Sequence, residues 1–318
     1  MTLRSLYDLA VEMGIAADPR GKDGVARYLA HVKKHQSSLS AKQKEFFDCE
    51  TLTNPYSDTR ILNGDEKTEV KRVMVGIDAE EAEILLADRL TERGTKIDAV
   101  ITHHPAAHAL SALHEVMDIQ VDMYAEAGVP ENVAQSLFDL RKEAVQRRFS
   151  PVNHSRSVDA ARLLGVPLMA AHTPWDNLGY QFMKKHIGKK EYYNIDELVD
   201  SLLEIPEFAE AAHGKAGPLV VSGSGKRRTG RIVVGFTGGT NPSKELYMEM
   251  AKAGVGTLVE MHLPEEVVQE LRKLHVNVID TGHMASDSLG ANLYLDQVEK
   301  RGVEVVSCSG LMRVNRKE

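Results

Sequence analysis

The chain has 318 residues, 42% apolar and 27% charged, a balance that excludes wholesale disorder and can supply hydrophobic cores for two lobes of about 150 residues each. Its net charge of -7 and pI near 6.0 oppose non-specific attraction to phosphate backbones and anionic bilayers, so neither nucleic acid nor a membrane is an expected partner. No apolar run approaches the roughly 18 residues of a membrane span, and Cys49 and Cys308 lie far apart in a chain without a signal-peptide pattern, so reduced thiols and a cytoplasmic location are expected.

Residues 1 to about 50 repeat apolar positions at helical spacing, broken at Asp18-Pro19 and Ser37-Ser38, which predicts three helices. His31 and His35 share one face of the second, but lysines follow directly and no carboxylate accompanies them, so a solvated face is expected. From about Arg72 the texture becomes Val- and Ile-rich strands alternating with amphipathic helices, the pattern of an α/β sheet covered by helices. A strand at 72–77, a helix from about Glu80 to Arg93 and a strand at 98–102 lead to His103-His104-Pro105, where open α/β sheets place their ligands. Residues 106–165 read as a helical excursion, and the sheet resumes at Pro167. Helices are expected near 195–212, then GKAGPLVVSGSGKRRTG reads as a mobile loop. Strands near 231–236, 257–261, 276–280 and 303–307 complete a second run.

Two units recur. VPLMAAHTPWD (166–176) and VNVIDTGHMASD (276–287) each give a strand-like run, a histidine and, four residues later, an aspartate. Upstream, residues 73–105 parallel 232–264 as strand, helix, strand and histidine. The chain therefore reads as an internal duplication: a helical N-terminal extension at 1–65, a first α/β lobe with its excursion at 66–190 and a second at 191–318. Histidine and carboxylate together are the ligand set of a divalent transition metal, and their recurrence suggests more than one ion.

His103 and His104, at a strand end before proline, can diverge onto two ions. Asp176, just before a predicted helix, fits either a cap or a ligand, and Trp175 beside it fits core packing or a wall of the site. Asp287 lies one helical turn from His283, so both can face one point, with Asp280 a candidate acceptor for a ligand imidazole. Glu260 and His262 are expected to support the site rather than ligate. The glycine-rich stretches lack a Walker pattern, since Arg227 follows Gly225-Lys226, which argues against an ATPase. Thr237-Gly238-Gly239 and Lys226, Arg227 and Arg228 remain candidates to meet an anion.

In this order and at these separations, THHP, HTPWDN and GHMASD resemble the Nif-three-like dinuclear metal-centre family, also known as GTP cyclohydrolase I type 2 homologues, over residues 70–315. The resemblance implies a duplicated two-lobe α/β fold with mixed sheets flanked by helices, a metal site between the lobes and, beyond the family, extra N-terminal helices. It further implies two divalent ions per chain (zinc, iron, manganese or cobalt), commonly in a homohexamer. Carried over, His103, His104, Asp176, His283 and Asp287 are the metal ligands, and His172 lines the same site. The family usually has glutamate where this chain has Asp287, and the lost methylene shortens its reach by about 1.5 Å. Residues 1–65 and 109–160 also depart from the family's pattern, and the large insert of some members is absent.

Two ions sharing carboxylates would acidify a bridging water and polarise an electrophile, which suits a hydrolase opening a ring, an amide or a phosphoester of a small molecule, with His172 as the catalytic proton shuttle. The alternatives are a non-enzymatic metal-handling or regulatory protein, and a nucleotide-binding scaffold whose histidines and aspartates only pack and cap.

Overall fold

A computed structural model describes residues 1–316, and its elements follow the chain in two runs. The first opens with the three expected helices, α1 (Leu3–Ala17), α2 (Gly21–Ser38) and the single turn α3 (Ala41–Lys44). Then come β1 (Arg60–Asn63), β2 (Arg72–Gly76), α4 (Glu81–Glu92) and β3 (Ala99–Thr102). The excursion is helical as expected: α5 (Ala107–Ser111), α6 (Asp118–Glu126), α7 (Glu131–Phe149) and α8 (Arg156–Leu164). It ends where β4 (Leu168–Ala170) rejoins the sheet and α9 (Thr173–Ile187) leaves it. The second run holds α10 (Ile195–Leu203), α11 (Pro206–His213), β5 (Leu219–Ser222), β6 (Arg231–Gly235), α12 (Lys244–Lys252) and β7 (Val255–Glu260). It closes with α13 (Glu265–Lys273), β8 (Asn277–Asp280), α14 (His283–Lys300) and β9 (Glu304–Cys308). No helix among the described residues is long and apolar enough to cross a membrane.

The strands form two mixed sheets, ordered β1-β4-β3-β2-β9 and β5-β8-β7-β6. In each, the inner strands are parallel and the first, β1 or β5, lies antiparallel against β4 or β8. Without β9 the two orders coincide, so the duplication in the sequence is also one of structure. Even the irregularities match, because the antiparallel strand shifts register between Ile61 and Asn63 in one sheet and between Val220 and Ser222 in the other.

Two expectations need correction. The strand near 303–307 belongs to the first sheet, not the second run: β9 pairs in parallel with β2, and Val305 and Val306 pack into the cores on the two faces of that sheet. The stretch 214–230 is not all loop, since Leu219–Ser222 forms β5 on β8. Its glycines, serine and cations mask a short edge strand whose order comes from a partner about sixty residues away.

The first sheet is buried on both faces. Val73 and Val75 join α1 and α14 residues in one core, while Met74 faces α4 and α8 in another, as expected for parallel strands covered by helices. Helices α9 and α14 leave the ends of the equivalent strands β4 and β8 and pack against each other across the two halves. The packing is close at Gly290, where a Cβ would lie 2.7 Å from the carbonyl carbon of Trp175 and closer still to its oxygen. The two helix N-termini, with the residues just before them, therefore meet at the C-terminal ends of the strands.

Candidate metal centre

The backbone past β3 is held before its side chains are aimed. His103 N–H donates to Gly76 O (3.0 Å) and His104 N–H to Ile77 O (2.8 Å), so pairing with the β2 side persists for two residues beyond the strand. Each of three imidazoles is then tied through Nδ1: His103 to the Ala171 carbonyl (3.2 Å), His104 to Asp78 Oδ1 (2.7 Å) and His172 to Asp58 Oδ2 (2.8 Å). That leaves Nε2 of each as the free donor atom.

Those atoms converge on two aspartates. His103 Nε2 lies 3.2 Å from Asp176 Oδ1 and 3.6 Å from Asp287 Oδ1. His104 Nε2 and His283 Nε2 lie 3.5 and 3.3 Å from Asp287 Oδ2, and His172 Nε2 lies 3.9 Å from Asp176 Oδ2. Three sets of donor atoms lie within 4.8 Å of one another: His103, Asp176 and Asp287; His104, His283 and Asp287; and His103, His104 and His172. All six residues singled out in the sequence thus meet in one place.

The charges are close, yet Asp176 Oδ1 and both oxygens of Asp287 are buried without a hydrogen-bond partner. A buried carboxylate ringed by nitrogens but bonded to none is costly, and a divalent cation among these donors supplies the missing interaction. The residues fit a transition-metal site on that ground. Burial opposes charge on His103 and His104, but Asp287 with Asp176 on the first, and Asp287 with Asp78 on the second, outweigh it. His103 is held well above the ordinary imidazole range and His104 is raised to about 9. His283 moves the other way, lowered to about 4 by burial and by the neighbouring His262, His104 and His103, against the pull of Asp287. Burial would raise Asp287, but the three histidines hold it far below the carboxylate range.

Other expectations resolve locally. Asp176 does not cap α9, whose N-terminus has no side-chain cap and starts instead with Pro174 in its first turn. Trp175 is fully buried, its ring parallel to that of His103 at 5.6 Å, so it is both core and back wall. Asp280 accepts from the Gly282 N–H at 3.0 Å rather than from an imidazole. The carboxylates that do orient imidazoles are Asp58 and Asp78, which sequence reasoning missed. Asp78 follows β2 at the sheet's C-terminal edge and could have been found by that rule; Asp58 precedes β1, a strand the pattern did not reveal. His31 and His35 are exposed, as expected.

His172, Asp176, His283 and Asp287 open onto a cavity of about 70 Å³ whose far wall is Thr237, Asn241, Glu260 and His262 of the second half. Glu260 is buried there, and burial together with Asp280 raises its pKa well above the carboxylate range, with the nearby Tyr247 opposing. His262 is exposed, its ring 4.3 Å from that of His283. Lys226, Arg227 and Arg228 do not line the cavity; Arg228 instead lies 3.7 Å over the Tyr193 ring.

No family model and no curated protein matches the chain. Among solved structures it is similar to a NIF3 superfamily protein from Sphaerobacter thermophilus, at 29% identity and a TM-score of 0.77, over 98% of this chain and 99% of that one. It is also similar in fold to reduced HcgD from Methanocaldococcus jannaschii, at 14% identity and a TM-score of 0.52, over 85% of this chain and 97% of that one. Extending over nearly the whole of both chains, the first likeness bears out the resemblance carried by THHP, HTPWDN and GHMASD: the chain has a NIF3-like fold, with a buried histidine–aspartate cluster compatible with metal binding.

Proposed function

We propose that the chain binds two divalent metal ions and acts as a metal-dependent hydrolase on a small molecule. One observation carries the reading: the buried Asp287 carboxylate has no hydrogen-bond partner on either oxygen, yet faces three imidazole nitrogens at 3.3 to 3.6 Å. Its two oxygens belong to two separate three-residue sets, one with His103 and Asp176 and one with His104 and His283, which is how a carboxylate shared by two ions is placed. Five protein ligands for two ions leave positions open, which favours catalysis over a closed structural site. Bound there, the ions would acidify water and polarise an electrophile.

The chain's own groups do the rest. His172 presents Nε2 to the cavity and serves to accept and return a proton. Trp175 keeps water from the back of His103, and the second-half wall shapes the space for the substrate. Zinc, iron, manganese and cobalt all suit this donor set. A cytoplasmic setting and a homohexamer are part of the same reading, the former in keeping with two unpaired cysteines.

Elemental analysis of untagged protein, beside His104→Ala and Asp287→Ala, tests it. The expected result is about two ions per chain in the wild type, with loss in both variants and larger loss for Asp287→Ala because it serves both sets. A wild type without metal that takes up none on reconstitution overturns the metal centre. A loaded protein inert toward amides, cyclic amidines and phosphoesters overturns the hydrolase.

A further inference from the structure

The two halves of the centre are matched in the helices and unmatched behind them. His172 with Asp176, and His283 with Asp287, occupy equivalent positions at the starts of α9 and α14. The ladders align what stands behind each: Arg60 pairs with Ala170 and Leu219 with Asp280, so Asp58 and Gly217, two residues earlier, are equivalent. Asp58 is fully buried; its Oδ2 accepts from His172 Nδ1 (2.8 Å) and Thr173 Oγ1 (2.6 Å), and its Oδ1 from Thr59 Oγ1 (3.3 Å). Gly217 sits at φ +118, and a Cβ there would lie 2.8 Å from the Thr281 carbonyl carbon and 2.9 Å from Gly282 N, so no carboxylate can be placed behind His283. Among the described residues His283 has no hydrogen bond through Nδ1, and its side chain is 37% exposed against 8% for His172.

We infer that Asp58 is the positioning residue for His172: by accepting its Nδ1 proton it fixes the tautomer whose Nε2 lone pair faces His103, His104 and Asp176. The inference deepens the metal reading and rests on it for the ions, but not for the tautomer. A neutral imidazole carries one proton. With that proton held between Nδ1 and a fully buried carboxylate, Nε2 is left as an acceptor, able to take a proton or a cation. Asp58 stays ionised throughout and exchanges no proton, so it acts only through His172. His283, without such a partner, can turn its ring to follow an ion. The two halves thus supply one fixed imidazole and one adjustable one from equivalent places.

Asp58 also ties down two threonines, so a purely structural role must be separated. The test is the 15N spectrum of His172 in chelator-treated protein at a pH where the ring is neutral, together with zinc affinity by chelator competition, for wild type, Asp58→Asn and Thr173→Val. The wild type is expected to carry the proton on Nδ1. Asp58→Asn, whose amide N–H can donate to Nδ1, is expected to move population to the Nε2–H tautomer and, because His172 is not one of the five ligands, to leave zinc affinity near the wild-type value. Thr173→Val, which keeps the carboxylate, is expected to retain the wild-type tautomer. A wild-type proton on Nε2 overturns the inference. So does an Asp58→Asn protein with an unchanged tautomer, or with only a lowered Tm. Should Asp58→Asn not fold, the wild-type and Thr173→Val spectra still decide. A wild type that shows the Nδ1–H tautomer yet binds no zinc removes the metal reading and upholds the hold of Asp58 on His172.

Discussion

Adding one methyl group at the crossing of α9 and α14 should disturb the centre without touching any of its donors. A Cβ at Gly290 would lie 2.1 Å from the Trp175 carbonyl oxygen and 2.7 Å from its carbon, where ordinary contact begins near 3.4 Å, so the helices must part by about 1.3 Å. Neither colliding group can rotate away, because both are backbone. Overpacking of this kind costs about 1–3 kcal/mol, and the higher helix propensity of alanine returns up to about 1 kcal/mol. A net loss of about 1–2 kcal/mol lowers Tm by roughly 2–8 °C in a protein of this size. The larger effect should be on the ions. Trp175 lies next to Asp176, and metal–ligand distances tolerate only about 0.2 Å of error, so a separation of the halves by about 1.3 Å exceeds what the site can absorb. Gly290→Ala is therefore expected to weaken zinc by an order of magnitude or more, in chelator competition, with a modest loss of Tm. Gly179→Ala is the control, since its Cβ would sit 3.6 Å from Gly290 N in ordinary contact, and it should be neutral or slightly stabilising. If Gly290→Ala matches Gly179→Ala in both measurements, the close crossing does not set the spacing of the centre.

Two further outcomes concern pH. In chelator-treated protein, His104 is raised to about 9, so its contribution is complete below the unfolded value near 6.5 and is lost as pH climbs through 9, an upper bound of about 3 kcal/mol. His283 is lowered to about 4, so its contribution is present above 6.5 and lost as pH falls toward 4. The metal-free Tm should therefore peak near pH 6.5 and fall toward pH 9, whereas in zinc-loaded protein the ligand imidazoles are already unprotonated and the alkaline fall should vanish. Identical Tm–pH profiles for the two forms would contradict this. Glu260 has a raised pKa, so its contribution is complete below about 4.3 and is lost as pH rises. Glu260→Gln should lessen the fall on the alkaline side of the peak and leave zinc stoichiometry unchanged; a drop in bound zinc would make Glu260 part of the centre.

What the sequence revealed was local and periodic. The i to i+4 spacing of His172 with Asp176 and of His283 with Asp287, each after a strand-like run, is a pattern of adjacent residues, and the helices place those pairs as the spacing implies. Residues set by distant partners stayed hidden. β9 looks like one more strand of the second run, and only its pairing with β2 assigns it to the first sheet. β5 is a short edge strand in a glycine- and cation-rich segment, given order by β8. Asp58 sits in NPYSDTR with no helical or strand rhythm around it, and its role depends on His172, 114 residues away. Asp176 shows the opposite case: its position favoured a cap over a ligand, yet α9 has no side-chain cap and Oδ1 faces His103 unpartnered.

The duplication explains why the centre lies where it does, and its lapses explain why one side is a pocket. Gly76 pairs with Thr102 and Gly235 with Glu260, so His104 and His262 are equivalent, as are Thr102 and Glu260. In the first half that strand end turns His103 inward and brings His104 to Asp287. In the second half the same strand end carries Met261 and an exposed His262, neither of which joins a donor set. Donors therefore come from both helices but from only one strand end. The loop after β6 and the end of β7, which contribute to none of the donor sets, line the cavity in front of those sets. A symmetric pair of halves would have enclosed the donor cluster on both sides. With donors on one side only, the cluster keeps an open approach, walled by residues that need not ligate.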